Sequence, residues 1–82
     1  MDIEFDPAKD AVNRQKHGVS LAYVVDMADV IVVADERYDE ARFRLYGLIE
    51  GEWHCAAVTL RGKAVRIISL RRAHKKEVKR HV

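Results

Sequence analysis

The spacing of apolar and polar residues predicts mainly helices in the first half of this chain of 82 residues and strands in the second half. Residues 1–5 alternate between polar and apolar side chains, which predicts a short, half-buried strand. Asp6 suits a helix N-cap, Pro7 the first helical position, and Gly18 the left-handed residue that ends a helix. A first helix is therefore expected over residues 7–17.

A second helix is expected soon after the first, because Ser20 can cap it and apolar residues over 21–28 recur at helical spacing. Four of them share one side of this helix: Leu21, Val24, Val25 and Ala28. Residues 29–35, DVIVVAD, predict an apolar strand, although valine-rich sequence near Asp29 suits either state. Residues 35–40 are mostly charged and predict a loop.

The period of the apolar pattern changes to two from residue 42 onward, which is typical of strands. Three strand-length segments cover residues 42–49, 52–60 and 64–71, separated by turn-like sequences at 50–51 and 61–63, and basic residues with helix formers follow to residue 82. The order predicts an α+β fold, in which a strand and two helices precede an antiparallel meander of three or four strands and a short basic terminal helix.

The length of the chain supports a single domain over residues 1–82, because so short a chain buries only roughly 60% of its unfolded surface. Its charge is divided, since residues 1–40 hold ten acidic residues and four Lys or Arg, whereas residues 41–82 hold three acidic residues and eleven Lys or Arg. A basic half suggests an anionic partner such as nucleic acid, but it also suits solubility or an acidic protein partner.

Cysteine content and hydropathy point to an intracellular protein without a metal site. Cys55 is the single cysteine and has no partner at the spacing of a zinc site. The apolar run at residues 30–34 is far shorter than the ~20 residues that span a bilayer. The N-terminus is acidic rather than a basic leader, so a cytoplasmic location without membrane association is expected.

Arginines recur along two of the predicted strands. Arg42, Arg44 and Tyr46 share one strand face, whereas regular alternation places Arg66 and Arg71 on opposite faces of the last strand. Arg71 stands where that strand gives way to the helix and can turn to either side. Guanidinium groups bind phosphate and an aromatic ring can stack on a base, but exposed strand faces are also polar by default.

Two separated motifs resemble those of the BrnT toxin family. Residues 5–21, FDPAKDAVNRQKHGVSL, have its aromatic residue before Asp-Pro-x-Lys, its Asn, and Lys-His-Gly-Val-Ser before an apolar residue. Residues 42–71 have its Arg-Phe before a Gly, its Thr-x-Arg turn and its Arg-Ile-Ile-Ser-x-Arg. The pair of motifs at this separation is specific, and the resemblance covers nearly the whole chain.

The resemblance implies a RelE-like α+β ribonuclease toxin of a bacterial type II toxin–antitoxin pair, which cleaves RNA without a cofactor or metal. It also implies inhibition by a BrnA-type antitoxin, whose ribbon-helix-helix domain links the pair to DNA. Phe5, Leu21 and Leu70 depart from residues usual in the family, which are Trp, Phe and Ala. An inactive relative that binds an antitoxin or nucleic acid is therefore the alternative function.

The site residues follow from the resemblance together with the chemistry that RNA cleavage needs. The candidate catalytic residues are Arg66, Arg71, His17, Lys16 and Glu77, and the candidate RNA-binding residues are Arg44, Tyr46, Lys9, Asn13, Arg72 and Lys75. Each has a structural alternative: Lys16 and His17 also suit the negative end of the first helix, and Glu77 also suits a surface ion pair. Spacing among the four histidines does not assign the base or the acid.

Overall fold

The computed structural model describes residues 2–82, so Met1 of the predicted first strand lies outside the described residues. The elements in chain order are β1 (Asp2–Glu4), α1 (Pro7–His17), a 3₁₀ helix (Leu21–Asp26), β2 (Ala28–Ala34), β3 (Arg42–Ile49), β4 (Glu52–Arg61), β5 (Ala64–Arg72) and α2 (Lys75–His81). The predicted α+β class and the order of its elements are confirmed. No helix within residues 2–82 combines the length and the apolar character that crossing a membrane requires.

The five strands form one sheet in the order β1-β5-β4-β3-β2. Strands β2 to β5 are joined as an antiparallel meander, as the alternating pattern predicts. Strand β1 pairs with β5 in parallel, with Ile3 opposite Val65. Strand β1 is therefore an edge strand of the sheet and lies beside β5, the strand that carries Arg66 and Arg71.

Helix α1 begins and ends at the residues predicted from its capping pattern. The Asp6 carboxylate accepts a hydrogen bond from the Ala8 amide at 2.8 Å. Gly18 has a φ of 74° and donates its amide to the Arg14 carbonyl at 2.8 Å. A left-handed residue at this position costs a glycine little, because it has no Cβ.

The second predicted helix is shorter than expected and is a 3₁₀ helix, Leu21–Asp26, capped by Ser20. Leu21 and Val24 are buried, because residues three apart align in a helix of three residues per turn. Val25 is instead 64% exposed, and Ala28 pairs with a residue of β3 as the first residue of β2. The helical face predicted over residues 21–28 is wrong beyond Val24, because strand pairing takes the end of the segment.

The core lies between one face of the sheet and the pair formed by α1 and the 3₁₀ helix. Its buried members are Leu21, Val24, Ile49, Ala56, Val58, Val65, Ile67 and Leu70. Gly47 lets the start of β2 approach this layer, because a Cβ there would lie 2.9 Å from Met27 Cβ. The core thus fills one side of the sheet, and the arginines of β3 and β5 lie on the other side.

A β-bulge in β5 changes the direction of its side chains. Ala57 pairs with Ser69 and Val58 pairs with Ile67, so Ile68 is the extra residue on β5. A bulge of this kind shifts the alternation by one residue. Regular alternation would place Arg66 and Arg71 on opposite faces, and the sequence leaves the direction of Arg71 open; the bulge places both on the face away from the core.

Candidate nucleic-acid interface

Three lines of paired residues cross the sheet face opposite α1. The lines are Arg42–Thr59–Arg66, Arg44–Ala57–Ser69 and Tyr46–Cys55–Arg71. Strands β3 and β5 each contribute two arginines to this face, and β4 between them contributes smaller side chains. We call this surface, defined by Arg42, Arg44, Arg66, Arg71 and Tyr46, the arginine face.

Glu77 of α2 lies against the arginine face and joins several of its side chains. Arg71 Nη1 donates to Glu77 Oε1 at 2.7 Å, and Arg71 Nη2 donates to Oε2 at 3.0 Å. The Tyr46 hydroxyl donates to Oε2 at 2.9 Å, and the His74 backbone amide donates to Oε1 at 2.9 Å. Arg44 Nη1 lies 3.8 Å from Oε2. Residues from β3, β5 and α2 are therefore connected through one carboxylate.

These contacts set the protonation of the pair formed by Glu77 and Tyr46. The hydrogen bonds from Arg71 are the largest cause that lowers the pKa of Glu77 from 4.5 to about 2. Burial, followed by the bond to Glu77, raises the pKa of Tyr46. Near neutral pH the site therefore holds a carboxylate that is a weak base and a phenol that stays a donor.

Two further arginines of this face retain hydrogen-bonding capacity. The Nε atoms of Arg42 and Arg44 are buried and have no hydrogen-bond partner within residues 2–82. The Arg42 guanidinium lies over the Tyr38 ring at 3.7 Å and forms a salt bridge with Glu40. Buried donors without a partner are uncommon in folded proteins, and because both Nε atoms are buried, only the terminal nitrogens of these arginines can reach an acceptor on a ligand.

Asp35 and Arg37 form one wall of a cleft of about 240 Å³ on the arginine face, which Arg44, Ser69 and Arg71 also line. Asp35 is buried and accepts from Arg37 Nε at 2.9 Å and from Nη2 at 2.8 Å. These bonds are the largest cause that lowers the pKa of Asp35 to about 2. The sequence predicts Asp35 at the junction of an apolar strand and a charged loop but does not indicate its contact with Arg37, although an acidic residue directly after an apolar strand is a signal for such a contact.

The two C-terminal histidines take different positions around α2. The His81 ring stacks on the Tyr46 ring, with centroids 5.1 Å apart and an interplanar angle of 17°. His74 precedes α2 and contributes its backbone amide to Glu77. His81 therefore places an imidazole beside the cationic cluster, a position that the spacing of the histidines did not reveal.

The structure separates the α1 candidates from the arginine face. Lys9, Lys16 and His17 are exposed on α1, which packs against the other face of the sheet. Lys9, Lys16 and His17 border a cleft of about 340 Å³ that reaches Ile68 and Ser69 of β5. Ser69 lines the cleft of the arginine face as well, so the two surfaces meet at this residue.

Asn13 of α1 is 5% exposed and serves the backbone of its neighbours. Its Nδ2 donates to the carbonyls of Val19 and Leu70, each at 2.8 Å, and its Oδ1 accepts from the Leu70 amide at 3.1 Å. The side-chain amide thus pairs with Leu70 as a neighbouring strand would, beyond the point where β1 ends. All the hydrogen bonds shown for Asn13 are structural.

The remaining predicted candidates lie near the two ends of β5 and at the start of α2. Arg72 is largely exposed and pairs with Glu52 at 2.8 Å. Lys75 is exposed at the start of α2. Arg66 Nη1 lies 3.4 Å from Glu4 Oε1, two pairing lines away from Arg71. The structure therefore brings Arg44, Tyr46, Arg71 and Glu77 into one cluster and leaves the other predicted residues around it.

Cysteine and metal chemistry give no competing site within residues 2–82. Cys55 is 3% exposed beneath the arginine face, and burial is the largest cause that raises the pKa of its thiol. In the described part of the chain, no group of three or more His, Cys, Asp or Glu side chains is arranged to hold a metal ion. The chemistry of the arginine face therefore rests on arginine, tyrosine, histidine and carboxylate groups.

Comparisons with known proteins give two matches. Residues 5–77 match the model of a protein family described as "Ribonuclease toxin, BrnT, of type II toxin-antitoxin system". The 1.1 Å crystal structure of the Brucella abortus ribonuclease toxin BrnT is similar to this chain, with a TM-score of 0.75 and 24% sequence identity over 92% of this chain and 99% of that chain. At this identity the structural match shows a shared fold. No curated protein matches the chain significantly.

Proposed function

The chain belongs to the family of BrnT ribonuclease toxins of type II toxin–antitoxin systems, and we propose that it is an endoribonuclease that cleaves cellular RNA in the cytoplasm. The observation that carries this proposal is the cluster of Arg44, Tyr46 and Arg71 beside a cleft on the sheet face away from the core. Arginine forks match the geometry of phosphate oxygens, and a phosphate backbone is the anion that RNA presents.

Metal-independent cleavage is the reaction that these groups support. The ribose 2′-oxygen attacks the adjacent phosphorus, the bond from phosphorus to the 5′-oxygen breaks, one base takes the 2′-hydroxyl proton, and one acid gives a proton to the 5′-oxygen. Arg71 and Arg44 stabilise the charge that develops on the phosphate oxygens. We assign one of these two transfers to His81, because its ring lies at the cluster and an imidazole nitrogen can take or give a proton.

Glu77 has a positioning role in this proposal rather than that of the base. Its lowered pKa makes it a weak proton acceptor, whereas its bonds hold Arg71 and Tyr46 in place. Positioning by a carboxylate keeps the arginine fork ordered, which reduces the entropy lost when the substrate binds. Glu77 competes with phosphate for the Arg71 guanidinium group. RNA binding therefore requires Arg71 to release Glu77 and to bind a phosphate oxygen.

The RNA path extends from the arginine face to α1. Ser69 lines the clefts on both surfaces, and Lys9, Lys16 and His17 border the second cleft. These cations are suited to phosphates that flank the cleaved bond, as are Arg66, Arg72 and Lys75 at the two ends of β5 and the start of α2. Tyr46 is fully buried and its hydroxyl donates to Glu77, so it supports this path by holding Glu77 beside Arg71 rather than by touching RNA.

The partner that we propose is a BrnA-type antitoxin with a ribbon-helix-helix domain, which connects the pair to DNA. Family membership implies an antitoxin. Part of this partner covers the arginine face with an acidic or amphipathic segment that orders on contact and blocks RNA. This arrangement uses the basic half of the chain, residues 41–82, as the inhibited surface.

A second function is favoured by the contact between Arg71 and Glu77. Both terminal nitrogens of Arg71 are bonded to this carboxylate, so the charge of the arginine proposed to bind the cleaved phosphate is neutralised within the chain. A chain that keeps this pairing when RNA is present would bind RNA or an antitoxin without cutting RNA. The alternative is therefore an inactive relative that acts as a binding module.

Cleavage of a defined RNA by the purified chain in the presence of a chelator tests the proposal. We expect cleavage fragments ending in a 2′,3′-cyclic phosphate, and no fragments when the product of the adjacent antitoxin gene is added in excess. The matched control is Arg71→Ala at equal concentration. RNA that is bound but intact after incubation with wild-type protein would contradict the ribonuclease proposal and support the binding module.

A further inference from the structure

An exposed apolar groove lies on the core side of the sheet, beyond the area that α1 and the 3₁₀ helix cover. The groove has a volume of about 380 Å³ and is lined by apolar side chains that include Val30, Val32, Phe43, Leu45, Val58 and Leu60. Val32 is 61% exposed and Leu60 49%. We call this surface the β2 groove. A continuous apolar surface on a small domain is typical of a protein-binding site.

The β2 groove continues into an open strand edge. Strand β2 is the last strand of the sheet, and among residues 2–82 it pairs with β3 alone. A bulge between Ala28 and Ile31 shortens the regular edge, and no charged side chain lies between Val30 and Ala34. Natural edge strands are usually protected by lysine, proline or a cover. The edge can therefore accept a strand from another chain through main-chain hydrogen bonds.

The charges around β2 decide what kind of segment fits this edge. Asp26 and Asp29 precede the regular part of the strand and Glu36 follows it, and none of them forms a salt bridge within the described residues. A two-fold pair of β2 strands runs antiparallel and brings these acids close to those of the second copy. Like charges across a strand pair are destabilising, so a second copy is disfavoured and a segment with flanking cations is favoured.

We infer that the β2 groove and its edge anchor the antitoxin through an extended segment of alternating apolar residues flanked by Lys or Arg. The alternating residues enter the groove, and the cations meet Asp26, Asp29 and Glu36. Because the groove lies on the opposite face from the arginine face, this anchor leaves Arg71 open and a different part of the antitoxin covers the RNA site. The inference rests on the toxin–antitoxin part of the proposed function and not on ribonuclease activity.

The affinity of full-length chain variants for the product of the adjacent antitoxin gene tests the anchor. Val32→Lys introduces a charge into the groove, and Val12→Lys is the matched control, because Val12 on α1 is 62% exposed. We expect Val32→Lys to weaken binding by about tenfold or more and Val12→Lys to change it by less than about twofold. Both variants should keep the melting temperature of the wild type, and Val32→Lys should also keep its RNA cleavage rate.

Hydrogen exchange locates the bound segment independently of the substitutions. We expect the antitoxin to slow exchange of the amides of Val30–Ala34 in the wild-type chain. Equal affinities of the two lysine variants, protection confined to α2 and β5, or an adjacent gene product that does not bind would overturn the inference. Self-association that Val32→Lys abolishes would instead assign the groove to a second copy. Failure of cleavage in all variants removes the ribonuclease proposal and leaves the affinity test of the anchor intact.

Discussion

At the scale of single residues, the bulge at Ile68 decides the chemistry of the arginine face. Regular alternation would direct Arg66 and Arg71 to opposite faces, whereas the extra residue returns both to the face away from the core. The two arginines nevertheless differ, because Arg71 joins Glu77 and Tyr46 while Arg66 lies beside Glu4 at the other end of the strand. They therefore provide a matched pair on one strand and one face.

We predict that Arg71→Ala lowers the rate of RNA cleavage by about 10²–10³, as expected for the loss of one donor to the transition state. Arg66→Ala should lower it by about tenfold or less, because on the proposed RNA path Arg66 contacts a flanking phosphate. Arg71→Lys should recover only part of the rate, since a point charge does not replace the planar fork. Single-turnover cleavage and thermal unfolding on the same preparations measure both effects, and equal losses in the two alanine variants would contradict the assignment.

The lowered pKa of Glu77 predicts that the free energy of unfolding decreases at acidic pH. Its pKa is about 2 in the folded chain against an ordinary value of 4.5, so the folded state favours the ionised form. The resulting stabilisation is fully present above about pH 4.5 and is lost as the pH falls toward about 2. Urea unfolding as a function of pH should show that Glu77→Gln loses this part of the acid dependence. The exposed control Glu36→Gln should retain it, and matching curves for the two variants would exclude the role of Glu77.

At the scale of elements, the sequence predicts best those helix and strand ends that a few adjacent residues determine. Helix α1 follows from Asp6, Pro7 and Gly18 because capping is decided by a few adjacent residues. The end of the 3₁₀ helix and the bulge at Ile68 depend on pairing with other strands, so no local pattern indicates them. The contact of Glu77 with Tyr46, far earlier in the chain, has the same origin, so the sequence indicates the four residues of the cluster but not the contacts that join them.

Asn13 connects two elements through hydrogen bonds that a helix surface residue would not need. We predict that Asn13→Ala lowers the unfolding free energy by roughly 2 kcal/mol, because buried backbone groups of Leu70 and Val19 lose their partner. For a domain of this size the melting temperature should fall by roughly 8–16 °C. The control is Lys9→Ala, one turn earlier on the exposed side of α1. Melting temperatures that agree within about 2 °C would exclude the structural role.

At the scale of the whole molecule, the division of charge separates two surfaces. Acidic residues flank β2, whereas the second half of the chain supplies the arginine face. An anionic partner and a partner with cations therefore meet different sides of the sheet. The salt dependence of RNA binding reports how many cations the arginine face contributes.

We predict that RNA affinity falls steeply with salt and that each phosphate contact removed lowers the slope of log affinity against log salt by about 0.7. Arg44→Ala tests the arginine face and Lys16→Ala tests the extension of the RNA path to α1. Lys63→Ala, in the exposed turn between β4 and β5, is the control and should leave the slope unchanged. An unchanged slope for Lys16→Ala would confine the RNA to the arginine face.

The parallel pairing of β1 with β5 has a consequence for the synthesis of the protein. Ile3 pairs with Val65, and Asn13 bonds to Leu70, so β1 and α1 cannot complete their docking on β5 until residue 70 has left the ribosome. Contacts of this sequence separation form late in folding, because long loops must close first. Arg71, Glu77 and His81 follow Leu70 in the chain, so they leave the ribosome later still. A nascent chain that has not reached His81 therefore lacks part of the proposed RNA-cleaving site.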